Sequence, residues 1–433
     1  MKTEIISKIE NRQCVVGIIG LGYVGLPLIL CFVEKGFRCI GLDIDQAKID
    51  GLREGESYIL SVSSQRIQEA AATGLFQATT DFSALADCDV ILITVPTPLD
   101  QHEEPDLSFI VSTCKAIVPQ LRKGQLIVLE STTYPGTTEE VIVPILERSG
   151  LRLDKDIFVA YSPEHEDPNN AEYTTATIPG VVGSTSQDGL EIAEKLYQQI
   201  VSQTVPVFSS RVAEATKLYE NIFRSVNIAL VNELKVVFSK MGIDIWEVIE
   251  AASTKPFGFM PFYPGPGLGG HCIPIDPFYL TWKAREYGAV PRLVELSGEI
   301  NTAMPDYVVE RVIDVLSGQG KPIMGARILL LGLAYRPNLD DDRESPGYYL
   351  MEKLEIKGAQ VSYHDPFIPV IKPVRKFSRY VGRQSAEISG EYDLILISTA
   401  HDEYKGVDFA RLGVPVVDTK NITSGDPPLF NKA

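Results

Sequence analysis

The most constraining feature of the sequence is a strand, glycine turn and helix pattern close to the N-terminus. The apolar run CVVGIIG predicts a strand, GLPLILCFVEKG predicts a helix, and the hexapeptide GLGYVG joins them. Its glycines, Gly20, Gly22 and Gly25, let the backbone turn tightly and approach a pyrophosphate at the helix N-terminus. The spacing therefore predicts a dinucleotide-binding βαβ unit, in which Tyr23 and Val24 complete the cofactor-binding turn.

An acidic residue at the end of the next predicted strand indicates which dinucleotide is bound. The run RCIGLD ends at Asp43, 18 residues past Gly25. A carboxylate near this spacing can hold the ribose hydroxyls of the cofactor. We therefore predict NAD as the cofactor rather than NADP, and the alternative is a glycine-rich turn that binds no ligand.

The same segment has the length of a membrane span, because Val15 to Val33 contains 19 residues without a charge. Glycines and Pro27 interrupt it, which favours a buried strand and helix over a membrane-associated protein. A net charge of −17 disfavours nucleic acid and anionic membrane partners, since both would repel the chain. The six cysteines form no CxxC pair, which indicates a reducing compartment. We expect a cytoplasmic protein without a metal site.

Three further apolar runs end in small polar residues, as expected for strands of a doubly wound parallel sheet. They are DVILITVPTP at 89–98, QLIVLESTT at 125–133 and IFVAYSPE at 157–164. The carboxyl ends of such strands deliver side chains to a crevice, which makes Thr97, Thr132 and Glu164 candidate site residues. Taken singly, each is equally well explained as a turn residue at a strand end.

A second copy of the strand pattern occupies the C-terminal part of the chain. Its predicted strands lie in ARILLLGLAY at 326–335, AQVSYHDP at 359–366, YDLILISTAHD at 392–402 and VPVVDTKN at 414–421. The third glycine of the fingerprint is missing. We therefore predict a second Rossmann-like domain that has lost the tight pyrophosphate turn and binds a different part of a ligand.

A helical region from Arg211 to about Asn301 separates the two copies. Apolar residues recur there at helical spacing and predict one long helix, which can bridge two domains and support a homodimer or larger homo-oligomer. Glu214, Lys217 and Asn221 share one stripe of that helix. The alternative for Lys217 and Asn221 is a solvated helix face.

The stretch PGPGLGGHCIPIDPFYL strips side chains away from one thiol, Cys272, and begins a helix behind it. Gly269 and Gly270 bring bare N–H groups beside the thiol and leave room for a substrate carbon. Asp276 is a predicted N-cap, followed by a proline. A thiol just ahead of a helix N-terminus tends to have a lowered pKa, which favours a nucleophilic thiolate over a core thiol.

A dinucleotide fold with an activated cysteine suggests the oxidation of an aldehyde to an acid. Cysteine first adds to form a thiohemiacetal, loss of hydride leaves a thioester, and water hydrolyses it. That route needs a cation or amide at the developing oxyanion, which Lys217 and Asn221 fit. It also needs a carboxylate that manages water, which Asp276 and Glu164 fit.

Seven motifs, spread in order over residues 14 to 422, resemble one known family. They are GLGYVGLP, VPTP, ESTTYPGTT, SPEHEDP, EATKLYEN, GPGLGGHCIPIDPF and LAYRPNLDDDRESP. Together they resemble the nucleotide-sugar 6-dehydrogenases of the UDP-glucose/GDP-mannose dehydrogenase family. The resemblance implies an α/β enzyme with two Rossmann-like doubly wound parallel-sheet domains joined by a central helical region with one long helix. We place the NAD-binding domain at 1–208, the central dimerisation and catalytic region at 209–301 and the UDP-sugar-binding domain at 302–433.

By this resemblance, the chain would oxidise the 6-hydroxyl of a UDP-hexose to a carboxylate in two steps and reduce two NAD molecules. Cys272 would be the covalent nucleophile. Lys217 and Asn221 would stabilise the oxyanion and contact the sugar, and Asp276 would position water or assist proton transfer.

The resemblance also implies roles for residues outside the central region. Glu164 and Thr132 would take part in thioester hydrolysis while contacting the substrate and the cofactor, respectively. Arg343 and Arg336 would contact cofactor or substrate phosphates, although relatives usually have lysine at position 336. Further substrate contacts are expected from Phe262, Tyr263 and Gly269.

Within the family, the region around Cys272 is most similar to the UDP-N-acetylglucosamine branch, whose members serve bacterial surface polysaccharide synthesis. His165 stands where that branch typically has arginine, and Asn169 stands where it has glycine. Because both departures lie near Glu164, UDP-glucose and UDP-N-acetylmannosamine stay open as substrates. Two other classes also stay open: a two-electron β-hydroxyacid dehydrogenase, which would not need Cys272, and a non-catalytic NAD-binding protein.

Overall fold

The computed structural model describes residues 1–100, 102–164, 177–270, 273–374, 376–425 and 428–433. The chain divides into two compact units. The first comprises Met1–Glu220 with Phe278–Ala289, and the second comprises Asn221–Pro277 with Val290–Ala433. The predicted domain limits at 208/209 and 301/302 do not coincide with this division and stay predictions.

The first unit contains a mostly parallel sheet with helices between its strands. The strands are β1 (Val15–Ile19), β2 (Arg38–Leu42), β3 (Phe76–Thr79), β4 (Val90–Ile93), β5 (Gln125–Leu129), β6 (Ile157–Tyr161), β7 (Gly180–Ser184) and β8 (Thr204–Pro206). The helices are α1 (Lys2–Glu10), α2 (Gly25–Glu34), α3 (Gln46–Glu54), α4 (Ser64–Ala72), α5 (Ser108–Ile117), α6 (Val143–Leu146) and α7 (Gln187–Tyr197). Helix α8 (Ser210–Lys240) begins in this unit and ends in the second.

Strand order shows why the first unit is a doubly wound sheet. Among the described residues the order is β3-β2-β1-β4-β5-β6-β7-β8, and every neighbouring pair is parallel except β6 with β7. The chain therefore leaves β1 in both directions, and the carboxyl ends of β1, β2, β4, β5 and β6 meet at one edge. The predicted Rossmann-like fold is confirmed.

Strand β4 shows that this sheet is buried on both faces. Val90 and Leu92 belong to one hydrophobic cluster, and Ile91 and Ile93 belong to another. Alternating residues point to opposite faces, so a continuous apolar run requires cover on both sides. The uncharged segment at 15–33 forms β1 and the buried helix α2, as predicted. None of the described helices is both long enough and apolar enough to cross a bilayer.

The second unit repeats the architecture on a smaller scale. It contains α9 (Ile245–Ser253), α11 (Arg292–Gly318), α12 (Pro346–Ile356) and α13 (Phe409–Leu412), and α10 (Asp276–Glu286) begins there. Its strands are β9 (Arg327–Leu331), β10 (Gln360–His364), β11 (Leu394–Ile397), β12 (Val416–Asp418) and β13 (Phe430–Lys432). They pair in parallel in the order β10-β9-β11-β12-β13, which confirms the predicted second Rossmann-like sheet.

Helix α8 confirms the predicted long central helix, with 31 residues from Ser210 to Lys240. Helix α10 differs from its prediction by one position, because Asp276 is its first helical residue and not its N-cap. The five described cysteines are buried core thiols, and burial raises the pKa of the Cys114 thiol to about 12. Cys272, like His165 and Asn169, lies outside the described residues.

Candidate active site

The glycine turn after β1 has the shape that a pyrophosphate requires. Gly20 has a φ of +98°, and a Cβ on Gly25 would lie 2.0 Å from the Gly20 carbonyl oxygen. A Cβ on Gly22 would meet no atom within 4 Å, so the backbone is open to a ligand there. Helix α2 begins at Gly25 and directs its N-terminus to the same place. These residues therefore fit the diphosphate of NAD.

Asp43 holds the glycine turn against the end of β2. It is 7% exposed, and its Oδ2 accepts a hydrogen bond from the Leu21 N–H at 2.9 Å. The ammonium of Lys48 lies 3.2 Å from the same oxygen, and the Tyr58 hydroxyl donates to the Leu21 carbonyl at 2.5 Å. Asp43 is thus fixed beside the turn, where a carboxylate can bind ribose hydroxyls. Sequence reasoning missed Lys48 and Tyr58, which no local pattern marks.

Two threonines from neighbouring strand ends are buried near the carboxyl edge of the first sheet. Thr97 is 3% exposed and Thr132 is 8% exposed, and they follow β4 and β5, respectively. Thr94, which the sequence analysis did not select, donates from Oγ1 to the Gly20 carbonyl at 2.7 Å. Its position directly after the apolar strand β4 is the sequence signal that could have identified Thr94. The strand ends thus support the turn and bring polar groups to its edge.

Lys217 meets Glu164 within the first unit. Its ammonium donates to the Glu164 backbone carbonyl at 2.6 Å and lies 3.4 Å from the carboxylate Oε2. The two side chains are only 6% and 13% exposed. The solvated-face alternative is therefore wrong for Lys217, and it is also wrong for Asn221, which is fully buried. A cation held beside a carboxylate at a strand end can stabilise an oxyanion and position a water.

Glu130, at the end of β5, borders a cavity of about 30 Å³ next to Glu164. The cavity is lined on its polar side by Glu130, Ser162 and Glu164, and its apolar lining includes Val24 of the cofactor turn. This is room for a water with several hydrogen-bonding partners. The buried Tyr197 hydroxyl donates to Glu130 Oε1. Sequence reasoning missed this carboxylate, although it follows the apolar run of QLIVLESTT much as Glu164 follows that of IFVAYSPE.

In the second unit, Asn221 is held between a cation and an acid. Its Nδ2 donates to Asp276 Oδ2, and its Oδ1 accepts from Arg224 Nη2. Arg224 therefore fixes the orientation of the amide, so that Nδ2 is the donating end. One of the two Nδ2 hydrogens binds Asp276, and the other makes no hydrogen bond to the described residues. Arg224 was not predicted, although it lies three residues along the same helix.

The loop before Cys272 is fixed by two buried asparagines. Asn232 Oδ1 accepts from the Gly265 N–H at 3.0 Å, and its Nδ2 donates to Asn301 Oδ1 at 3.0 Å. Asn301 Nδ2 donates in turn to the Ser225 carbonyl at 3.1 Å. This chain of amides ties the loop to helices α8 and α11. It was not visible in the sequence because its members are far apart in the chain.

The structure corrects the predicted function of the glycines before Cys272. The Gly270 N–H donates to the Arg343 carbonyl at 3.0 Å, so it is not a bare group available to a substrate. A Cβ on Gly269 would lie 2.6 Å from Tyr335 Cβ. The glycines are needed because the loop packs closely on the 335–344 segment. A side chain on either glycine would collide with Tyr335.

The remaining predicted substrate contacts lie in the second unit. Phe262 packs edge to face on Phe223, and Tyr263 stacks on Trp246 with ring centroids 5.7 Å apart. Arg336 is exposed. The half-exposed Arg343 side chain forms an ion pair with Asp341 at 2.6 Å.

The acid at the end of β10 shows how the second sheet differs from the first. Asp365 Oδ2 accepts from the N–H groups of Leu333 and Ala334, at 2.7 and 2.8 Å, and from the ring of His401 at 3.0 Å. Its Oδ1 accepts from the Phe367 N–H at 2.8 Å. Both oxygens are therefore engaged by protein. We conclude that this acid stabilises its own loop.

Comparison with known proteins places the chain among nucleotide-sugar enzymes. It matches all three domains of the UDP-glucose/GDP-mannose dehydrogenase family: the NAD binding domain at 14–201, the central domain at 211–303 and the UDP binding domain at 329–425.

Two relatives cover nearly the whole chain. The UDP-N-acetyl-D-glucosamine 6-dehydrogenase of Pseudomonas aeruginosa is 38% identical over 90% of this chain and 92% of that protein. The UDP-N-acetyl-D-mannosamine dehydrogenase of Pyrococcus horikoshii is 31% identical over 96% of this chain and 97% of that protein.

Solved structures share the fold over the same extent. A Pyrococcus horikoshii UDP-D-ManNAc dehydrogenase superposes with a TM-score of 0.89 at 31% identity, covering 96% of this chain and 98% of that one. A UDP-glucose dehydrogenase from Pyrobaculum islandicum gives 0.85 at 25% identity, covering 96% and 97%.

Proposed function

Because the chain belongs to the UDP-glucose/GDP-mannose dehydrogenase family and is an NAD-dependent nucleotide-sugar dehydrogenase, we propose that it oxidises the 6-hydroxymethyl group of UDP-N-acetylglucosamine to a carboxylate. The proposal includes two successive oxidations, with one NAD reduced in each. It also includes use of the product in surface polysaccharide synthesis.

The observation that carries the reaction type is the buried pair of Lys217 and Glu164 at the carboxyl edge of the NAD-binding sheet. NAD, when bound, accepts the hydride that leaves the sugar carbon in each oxidation. The glycine turn from Gly20 to Gly25 and Asp43 would hold it, with Tyr23, Val24, Thr97, Thr132 and Arg343 as further proposed contacts. In the first oxidation the hydroxyl gives its proton to a water positioned by Asp276, and the Lys217 ammonium stabilises the resulting oxygen anion.

In the second oxidation Cys272 is the proposed nucleophile. Its thiolate forms a bond to the aldehyde carbon, and the carbonyl electron pair moves to oxygen. The ammonium of Lys217 and the Nδ2 of Asn221 stabilise that oxyanion. Arg224 and Asp276 keep the amide in the donating orientation, so the Asn221 side chain does not have to reorient when the oxyanion forms. Loss of hydride from the thiohemiacetal carbon then leaves a thioester.

Hydrolysis of the thioester completes the proposed reaction. Water adds to the carbonyl carbon, the carbon–sulfur bond breaks, and the thiolate returns to Cys272. Glu164, with Thr132, orients this water and accepts its proton. The position of Glu164 beside Lys217 and a water-sized cavity supports this assignment.

The choice of sugar depends on the relatives. Two UDP-N-acetyl-D-glucosamine 6-dehydrogenases, from Pseudomonas aeruginosa and Salmonella typhi, are 38% and 34% identical to the chain. A second candidate is UDP-N-acetylmannosamine, favoured by the UDP-D-ManNAc dehydrogenase that superposes with a TM-score of 0.89. Phe262, Tyr263, Gly269 and Arg336 are proposed to contact whichever nucleotide sugar is bound.

The test is a panel of UDP- and GDP-hexoses assayed for NADH formed and for acid released. We expect UDP-N-acetylglucosamine to give the highest kcat/KM and about two NADH per sugar. A ratio near one would indicate a two-electron dehydrogenase, and NAD binding without turnover of any sugar would indicate a binding protein. Preference for the manno sugar would overturn the choice of substrate but not the reaction.

A further inference from the structure

Glu214 is a buried acid to which the proposed reaction gives no task. It lies on helix α8 and is fully buried. Its Oε2 accepts from the Gly136 N–H at 2.5 Å. Its Oε1 accepts from both the N–H and the hydroxyl of Thr138, at 2.8 and 2.7 Å. One side chain therefore satisfies three donors of a single segment.

That segment continues directly from a proposed site residue. Thr132 follows β5, and the chain passes through Tyr134 and Gly136 to a π-helical turn at Thr138–Ile142. Gly136 has a φ of +106°, and a Cβ there would lie 2.6 Å from Glu140 Oε1 and 3.0 Å from Arg211 Nη1. The segment thus has a backbone position that only glycine fits, packed against the start of α8.

Lys217 lies three residues beyond Glu214 on the same helix, close to one turn away. Glu214 therefore joins the segment that follows Thr132 to the helix that presents Lys217, and Lys217 in turn contacts Glu164. We propose that Glu214 is a positioning residue, which holds the 132–138 segment and helix α8 in register so that Thr132 and Lys217 keep their places in the site. This inference rests on the proposed function.

The surroundings of Glu214 determine how it works near neutral pH. Arg211, Glu139 and Glu140 face the same segment, and Lys283 binds Glu140 at 2.6 Å. Burial raises the pKa of Glu214 to about 7. A protonated carboxyl can still accept from both N–H groups while donating to the Thr138 hydroxyl. The clamp therefore survives protonation and does not act as a pH switch.

The test compares Glu214→Gln with Glu139→Gln in the full-length protein. Glutamine cannot accept from both backbone N–H groups, because one end of its amide is a donor. Glu139 directly follows the same segment and forms an ion pair with Arg211 of α8. Its side chain is 31% exposed, whereas Glu214 is buried, which makes Glu139 a matched control. For Glu214→Gln we expect kcat to fall at least about tenfold, with the KM of NAD and of the sugar changed less than about threefold. Glu139→Gln should keep the wild-type kcat.

A second measurement is independent of turnover. Hydrogen exchange of the 132–142 peptide should be at least about tenfold faster in Glu214→Gln than in Glu139→Gln. Unchanged exchange would overturn the inference whether or not the sugar oxidation is correct. Failure to form two NADH in the wild-type protein would instead overturn the proposed function. If Glu214→Gln does not fold, Thr138→Val is the second variant, because it removes only the hydroxyl bond to Glu214. It should show faster exchange and lower kcat, both to a smaller extent. Wild-type exchange and wild-type kcat in Thr138→Val would contradict the inference.

Discussion

The hydroxyl of Tyr197, at the end of helix α7, donates a hydrogen bond to the carboxylate of Glu130, which follows strand β5. Both side chains are buried. The pair shows that the water-sized cavity beside Glu164 is bordered by a carboxylate that is itself held in place.

Removing that hydroxyl should destabilise the first unit. Tyr197→Phe leaves the buried Glu130 with one donor fewer, which should lower the free energy of unfolding by about 1 to 3 kcal/mol. Urea denaturation measures the loss. Tyr219→Phe, at a position 72% exposed, is the control and should stay within about 0.5 kcal/mol of wild type. Equal stability of the two variants would contradict the importance of the buried bond.

Stability should depend on pH through Glu214. Burial raises its pKa in the folded state to about 7 from an ordinary value of 4.5, so the folded state favours the neutral form. The stability that this residue contributes is present below about pH 4.5 and is lost as the pH rises through about 7, by about 3 kcal/mol in total. Glu214→Gln should remove this part of the pH dependence, as measured by urea denaturation between pH 4.5 and 8. An unchanged slope in the variant would show that Glu214 titrates normally.

Asn221→Asp should impair turnover more than binding. The change replaces the donating amide by a carboxylate beside Asp276, which removes the proposed oxyanion donor and adds a like charge. We expect kcat to fall by about 10²-fold or more, measured as NADH formation at saturating sugar and NAD. Asn227→Asp makes the same chemical change on the same helix, where the amide donates only to the Phe223 carbonyl. A similar loss in both variants would mean that charge on α8, and not the Asn221 amide, causes the effect.

Asp43→Asn should weaken the preference for NAD over NADP. The carboxylate beside the glycine turn becomes a neutral amide, so a cofactor 2′-phosphate meets less repulsion and the ribose hydroxyls lose a charged acceptor. The ratio of kcat/KM for NAD to that for NADP should fall about tenfold or more. Asp45→Asn removes the same charge two residues away, at the exposed N-cap of α3, and should leave the ratio unchanged.

Cys272→Ser should stop the reaction between its two oxidations. Without the thiolate the second oxidation lacks its nucleophile, so the NADH formed per sugar should fall from about two to one or below and free acid should not accumulate. Mass spectrometry of protein quenched during turnover should find a sugar adduct on wild type and none on the variant. Cys31→Ala, which removes a buried thiol of helix α2, should keep the wild-type ratio of NADH to sugar. Release of acid from Cys272→Ser at an undiminished rate would exclude a thioester.

The sheets, the glycine turn and the long helix were predictable from the sequence because their signals are local. Strand β4 is a continuous apolar run buried on both faces, and Gly25 has no room for a side chain. Such constraints depend on residues within a few positions of each other. The candidate site residues at strand ends, such as Thr132 and Glu164, could be selected for the same reason: parallel strands bring their carboxyl ends to one edge.

What the sequence could not determine was the partner of each polar side chain. Glu214 and Thr138 are 76 positions apart, and Tyr197 and Glu130 are 67 apart. Spacing alone placed Glu214, Lys217 and Asn221 on one stripe of a helix, but it could not distinguish a solvated face from a buried one. The glycines beside Cys272 were assigned to the substrate, whereas the Gly270 N–H binds the Arg343 carbonyl. Helical and strand periods are properties of neighbouring residues, so the sequence determines them. Burial and hydrogen-bond partners arise only when distant segments pack together. The free-energy cost of a buried polar group therefore depends on which segment packs against it and whether that segment offers a hydrogen-bond partner.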